Sequence, residues 1–133
     1  MFRVIVAGGR DFNDYNLLRE TLDVILANVN DNIAIVCGMA NGADTLGETY
    51  AKERGHTVCY FPAEWNTYGR AAGYMRNAKM AQNADALVAF WDGKSRGTKH
   101  MIDIAKWHKL DIRVVRYDQG SPREVHNEIQ AST

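Results

Sequence analysis

The chain has 133 residues, 46% hydrophobic and 24% charged, a composition that fits one soluble globular domain over 1–133. Sixteen Lys and Arg balance sixteen Asp and Glu, which counts against a broad basic surface that holds nucleic acid by charge alone. No apolar run approaches the roughly 20 residues of a membrane span, and MFRVIVAGG lacks the features of a secretion signal, so a cytoplasmic protein without membrane contact is expected.

RVIVAG (3–8) is β-branched and ends at glycine, which predicts a buried strand. Tyr15, Leu18, Leu22, Ile25, Leu26 and Val29 then recur at helical spacing. IAIVCG (33–38) is a second strand. Asn41 to Arg54 reads as a helix with Ala43, Leu46 and Tyr50 inward and Gly55 closing its end. TVCYF (57–61) is a third strand stopped by Pro62, and 63–69 reads as a loop. A helix follows from Gly69 to about Asn83, then a fourth strand, DALVAFW (85–91). Gly97 to Lys109 is helical, with Met101, Ile104, Ala105 and His108 inward. DIRVV (111–115) is a fifth strand, Pro122 opens a short last helix, and QAST frays. Cys37 and Cys59 lie in or beside apolar runs and read as buried free thiols of a reducing compartment. The alternation predicts an α/β fold of three layers: a mostly parallel sheet of about five strands with helices on both faces.

In such sheets ligands bind beyond the carboxyl ends of the strands, near the point where strand order reverses. The segments that follow the first four strands are GGRDF (8–12), GMANGAD (38–44), PAEWNTYGR (62–70) and DGKSRGT (92–98). Their glycine, polar and aromatic residues gather at one edge. Gly38 and Gly42 precede one helix, and Gly97 with Thr98 starts another. Bare helix N-termini attract anions, so the two together suit a phosphate. Asp44 reads equally as a first-turn charge and as a ribose contact. Gly73, Arg76, Asn77 and Met80 share one helix face, which suits a helix looking into a pocket with Arg76 clamping phosphate. Arg10, Arg70 and Arg96 are further cations there. Trp65, in the loop, is the better candidate to stack on a base, and Trp91 the better candidate to cap the core. The expected ligand-binding set is Gly9, Arg10, Gly38, Gly42, Ala43, Asp44, Trp65, Arg76, Asn77, Asp92, Gly93, Ser95, Gly97 and Thr98.

Familiar motifs fail. A phosphate loop ending at Ser95 would need glycine where Val88 stands, and neither AGGRDF nor CGMANGA matches the dinucleotide fingerprint. The histidines at 56, 100, 108 and 126 show no ligand spacing with the cysteines, so no metal and no cofactor is expected. No nucleophile elbow appears.

VAGGRDF, CGMANGADTLGETYA, FPAEW, YGRAAGYMRNAKMA and ADALVAFWDGKSRGTKHMIDIA, in this order, resemble the YspA-like branch of the SLOG superfamily, from about Val4 to Ala105. The resemblance implies a Rossmann-like domain related to the LOG phosphoribohydrolases and to DNA-processing protein A. LOG enzymes carry P-G-G-x-G-T-x-x-E with an arginine on the preceding helix. Gly97 and Thr98 match the final G-T, Gly93 matches an earlier glycine with one residue inserted, and Arg76 matches the arginine. The glutamate position is Met101, which cannot stabilise an oxocarbenium-like centre; Asp11, Asp44 or Asp92 would have to substitute. The resulting expectation is a domain that binds a nucleotide or nucleotide-derived small molecule. A nucleoside 5′-monophosphate N-glycosidase is the alternative, and a nucleic-acid-binding protein comes third, against the neutral charge. Relatives pair through helices, which allows a homo-oligomer, although the core claims the apolar faces at 12–29 and 97–109.

Overall fold

Successive residues of the central strand, β1 (Phe2–Gly8), face opposite cores, as a strand's two-residue period requires. Val4 and Val6 pack on one side of the sheet and Ile5 and Ala7 on the other. The structure, a computed structural model, describes residues 1–38 and 42–117 and the backbone strand at 125–129. The chain continues through α1 (Tyr15–Leu26), β2 (Ile33–Cys37), α2 (Ala43–Arg54), β3 (Thr57–Tyr60), α3 (Trp65–Tyr68), a 3-10 turn (Gly69–Ala71), α4 (Ala72–Gln82), β4 (Ala86–Trp91), α5 (Arg96–Trp107), β5 (Asp111–Arg116) and β6 (Val125–Ile129).

The strand order is β3-β2-β1-β4-β5-β6. The first five strands are parallel, with Val4 opposite Ala86 and Gly8 opposite Phe90 across the centre; β6 pairs antiparallel with β5. The first three strands build outward in one direction from β1, and the next in the other from β4. The order therefore reverses between β1 and β4, the doubly wound arrangement expected from the alternation.

Helices α1 and α2 cover one face. Leu18, Leu22 and Tyr50 pack there on Val4, Val6, Ile35, Val88 and Phe90. Helices α4 and α5 cover the other, with Met80, Met101, Ile102 and Ala105 against Ile5, Val36, Leu87, Ala89 and Ile112. Local chemistry sets the ends. Asp14 caps α1 by accepting from the Leu17 N–H at 3.0 Å, and Gly55 closes α2 at φ 72°. Asp23 ties the two helices together, accepting from Tyr50 Oη at 2.6 Å and from Arg54 Nη2 at 2.7 Å.

Three expectations need correction. Residues 63–69 are not all loop, because Trp65–Tyr68 form a single helical turn, too short to show a period in sequence. The last helix expected after Pro122 is absent at 125–129, where the backbone is a strand. Val125 and Ile129, four apart, suit either a helix stripe or one strand face, and the open β5 edge decides for the strand. Pro122 and QAST lie outside the described residues. Cys59 is half-buried rather than buried, whereas Cys37 is buried and its thiol is pushed up to about 12 by desolvation first, then by the Asp44 charge.

Candidate functional site

A cleft of about 760 Å³ opens where the strand order reverses, at the carboxyl ends of β1 and β4. Its floor is Ala7, Gly8 and Gly9 with Met80 and Met101. Its walls come from Arg10 and Asp11, Asp44, Trp65, the α4 face, and the turn that opens α5.

Arg76 is half-buried in this cleft. Its Nη1 donates to the Gly38 carbonyl, and its Nε donates to Asn77 Oδ1 at 3.0 Å. Burial holds its pKa below the ordinary arginine value; the Asp44 carboxylate opposes that effect and Arg10 adds to it. Asp44 is only 8% exposed. A methyl group on Gly38 would lie 3.0 Å from Asp44 Oδ2 and closer still to the Arg76 guanidinium, so this glycine leaves room for the Arg76–Asp44 corner. Asn77 is 6% exposed and donates through Nδ2 to the Gly97 carbonyl at 3.4 Å, linking α4 to the start of α5.

The turn before α5 is held from within. Asp92 Oδ1 accepts from the Lys94 and Ser95 N–H groups, each at 2.8 Å. Desolvation would raise this carboxyl, but the backbone donors outweigh it and hold the group below the usual carboxylate range. Ser95 caps α5, accepting from the Thr98 N–H at 3.4 Å, and its Oγ lies 3.1 Å from Thr98 Oγ1. The N–H groups of Arg96 and Gly97 have no intrahelical acceptor, and both residues line the cleft. A site of this kind can hold an anion between one helix N-terminus and a guanidinium.

Of the fourteen residues in the expected ligand-binding set, ten line the cleft: Gly9, Arg10, Asp44, Trp65, Arg76, Asn77, Asp92, Ser95, Gly97 and Thr98. Gly38, Gly42, Ala43 and Gly93 do not. Gly42 (φ 74°) abuts the backbone of Gly9 and Arg10, Ala43 packs against Gly8, and Gly93 lies against the Arg116 guanidinium. The Gly9 N–H is spent on the Phe90 carbonyl at 3.2 Å. Trp91 stays out of the cleft; its Nε1 donates to the Ser95 carbonyl at 3.1 Å, and Arg116 lies 5.2 Å from its ring centroid. Sequence reasoning missed Tyr74, which lines the cleft, and His100, whose ring lies 4.4 Å from that of Tyr74. His100 follows Gly97 by three, the one signal that set it behind the loop. Among the described residues no group of three His, Cys, Asp or Glu side chains could hold a metal, and no helix is long and apolar enough to cross a membrane.

Residues 2–68 match the family described as YspA, cpYpsA-related SLOG (YAcAr). The gene 61 protein of Mycobacterium phage D29 is 31% identical over 123 residues, 88% of this chain and 97% of that protein. The chain belongs to the YspA, cpYpsA-related SLOG family. Two solved structures share the fold of this SLOG chain. DNA processing protein A from Streptococcus pneumoniae superposes with a TM-score of 0.65 at 15% identity, over 84% of this chain and 49% of that one. The structure described as TM1055 gives 0.61 at 22% identity, over 84% of this chain and 72% of that one. The SLOG chain thus spans about half the length of the DNA processing protein A it matches.

Proposed function

We propose that this SLOG-family chain binds a nucleotide or nucleotide-derived ligand in the cleft, with the phosphate between Arg76 and the start of α5. The observation that carries the reading is Arg76 itself. A half-buried guanidinium, fixed by Gly38 and Asn77 beside the buried Asp44, is costly to maintain, and its planar fork of donors fits two oxygens of a phosphate. The N–H groups of Arg96 and Gly97 and the Thr98 hydroxyl add donors, Arg10 adds charge, Asp44 meets a ribose hydroxyl, and Trp65 covers the base. Titration calorimetry with nucleoside monophosphates and ADP-ribose tests this. Arg76→Ala is expected to weaken binding by about 1.5–3 kcal/mol, the scale of a charged hydrogen bond, and Arg76→Lys to restore little because it lacks the fork. Unchanged affinity in Arg76→Ala removes the residue from the site.

One observation favours a second reading, cleavage of the N-glycosidic bond of nucleoside 5′-monophosphates. Three carboxylates, Asp11, Asp44 and Asp92, line the cleft. The position of the LOG glutamate is Met101, 1% exposed and without charge. Asp11 accepts from Tyr117 Oη at 3.1 Å, and Asp92 holds its own turn, whereas Asp44 is buried and its charge acts on Arg76. Release of free base that Asp44→Asn abolishes would establish the hydrolase. No release under conditions where the nucleotide binds leaves a binding domain. Salt-dependent retention of single-stranded DNA would instead favour a nucleic-acid ligand.

A further inference from the structure

Arg76 is oriented by Asn77 together with the Gly38 carbonyl, and two groups of fixed chemistry set the Asn77 amide. Arg76 Nε can only donate, so Oδ1 faces it at 3.0 Å; the Gly97 carbonyl can only accept, so Nδ2 faces it at 3.4 Å. The same Nδ2 lies 3.1 Å from His100 Nδ1. An amide NH₂ presents only hydrogens, so His100 must offer a lone pair at Nδ1 and carry its proton on Nε2. An imidazolium there would set N–H against N–H. Tyr74 and Asn77 of α4 face this ring, and Asp103 on its own helix acts on it by charge. Desolvation lowers its pKa and Asp103 opposes that in part.

We propose that His100 is a positioning residue: neutral, it locks Asn77 so that Arg76 and the start of α5 face an anionic ligand, and protonated, it unlocks them. This rests on the reading of the cleft as an anion site. On protonation Asn77 must turn or withdraw, and both Arg76 Nε and the Gly97 carbonyl lose their partner. Anion binding then weakens although a positive charge has been added. A bystander histidine has the opposite sign, because its new charge draws the anion in.

The test uses sulfate and ADP-ribose, whose anionic groups do not titrate between pH 5 and 8, unlike a phosphate monoester with its second pKa of about 6. Wild-type affinity is expected to fall from pH 8 to pH 5, toward a limit of about tenfold once the ring is fully protonated, the equivalent of one lost hydrogen bond. His100→Asn, whose Oδ1 replaces the Nδ1 lone pair, is expected to bind equally at both pH values, and His100→Lys to bind weakly at both. Nitrogen NMR of the wild-type ring is expected to show the Nε2–H tautomer with a depressed pKa. A ring that titrates as free imidazole, affinity that rises in acid, or a pH dependence that survives in His100→Asn overturns the latch. If neither probe binds at pH 8, the anion-site reading itself fails, while the tautomer result still decides how His100 is held.

Discussion

Two glycines with similar sequence surroundings do opposite jobs. Gly42 stands at φ 74°, where a Cβ would lie 2.1 Å from the Gly9 carbonyl oxygen; both the backbone angle and the contact exclude a side chain. Gly97 is in the first turn of α5 with no atom within 4 Å of an added Cβ, and it lines the cleft. Gly42→Ala is therefore expected to cost roughly 3 kcal/mol or more of stability, from strain and overpacking together. Gly97→Ala is expected to gain a few tenths to about 1 kcal/mol through helix propensity and to lose ligand affinity. Urea unfolding and calorimetry on the two variants check the pair, and equal stabilities would remove the distinction. That Gly42 closes a strand-to-helix turn and Gly97 opens a helix was legible in the sequence. The reason at Gly42 was not, because the neighbouring backbone it meets, Gly9 and Arg10 of the β1 loop, lies more than 30 residues away in sequence. The burial of Met101 was legible too, because it lies on α5's inward stripe.

At the scale of elements, the long periodic segments were readable and the short ones were not. The face Gly73, Arg76, Asn77 and Met80 was set by α4's spacing, and all four line the cleft. Four residues, WNTY, carry no period, so α3 read as loop. This turn holds Trp65, 53% exposed, over α4, where its Cη2 would be 3.4 Å from a Cβ on Gly73. Trp65 packs too little to matter much for folding, yet it borders the cleft. Trp65→Ala is expected to cost about 1–3 kcal/mol of nucleotide affinity, the size of a base–aromatic stack, while leaving the affinity for ribose 5-phosphate and the unfolding midpoint nearly unchanged. Equal losses for the two ligands would show that Trp65 shapes the phosphate end instead of covering a base. The strand at 125–129 was beyond local reasoning, because only the β5 edge of the assembled sheet selects it over a helix.

For the whole molecule, a zero formal charge hides an uneven interior. His56 and His100 both have pKa values lowered from 6.5, chiefly by desolvation, with the Arg54 charge adding to the effect at His56. The unfolded chain therefore takes up these protons first. Stability is complete above about pH 6.5, declines as the pH falls through the unfolded value, and levels off once the folded histidines are protonated. Asp23 is lowered from 3.8 by its hydrogen bonds from Arg54 and then Tyr50, so its contribution is present above that value and disappears as the pH falls through the folded one. Acid should unfold the protein in two stages. The melting temperature is expected to drop first as the pH falls below about 6.5, a step that His56→Gln combined with His100→Asn shrinks, and again below about pH 4, a step that Asp23→Asn shrinks at the expense of stability at neutral pH. Melting curves of the three proteins from pH 8 to pH 3 separate the stages. If the upper step survives in the double histidine variant, the depressed histidines are not its source, and the α1–α2 clamp around Asp23 would have to open at a pH where its carboxylate is still charged.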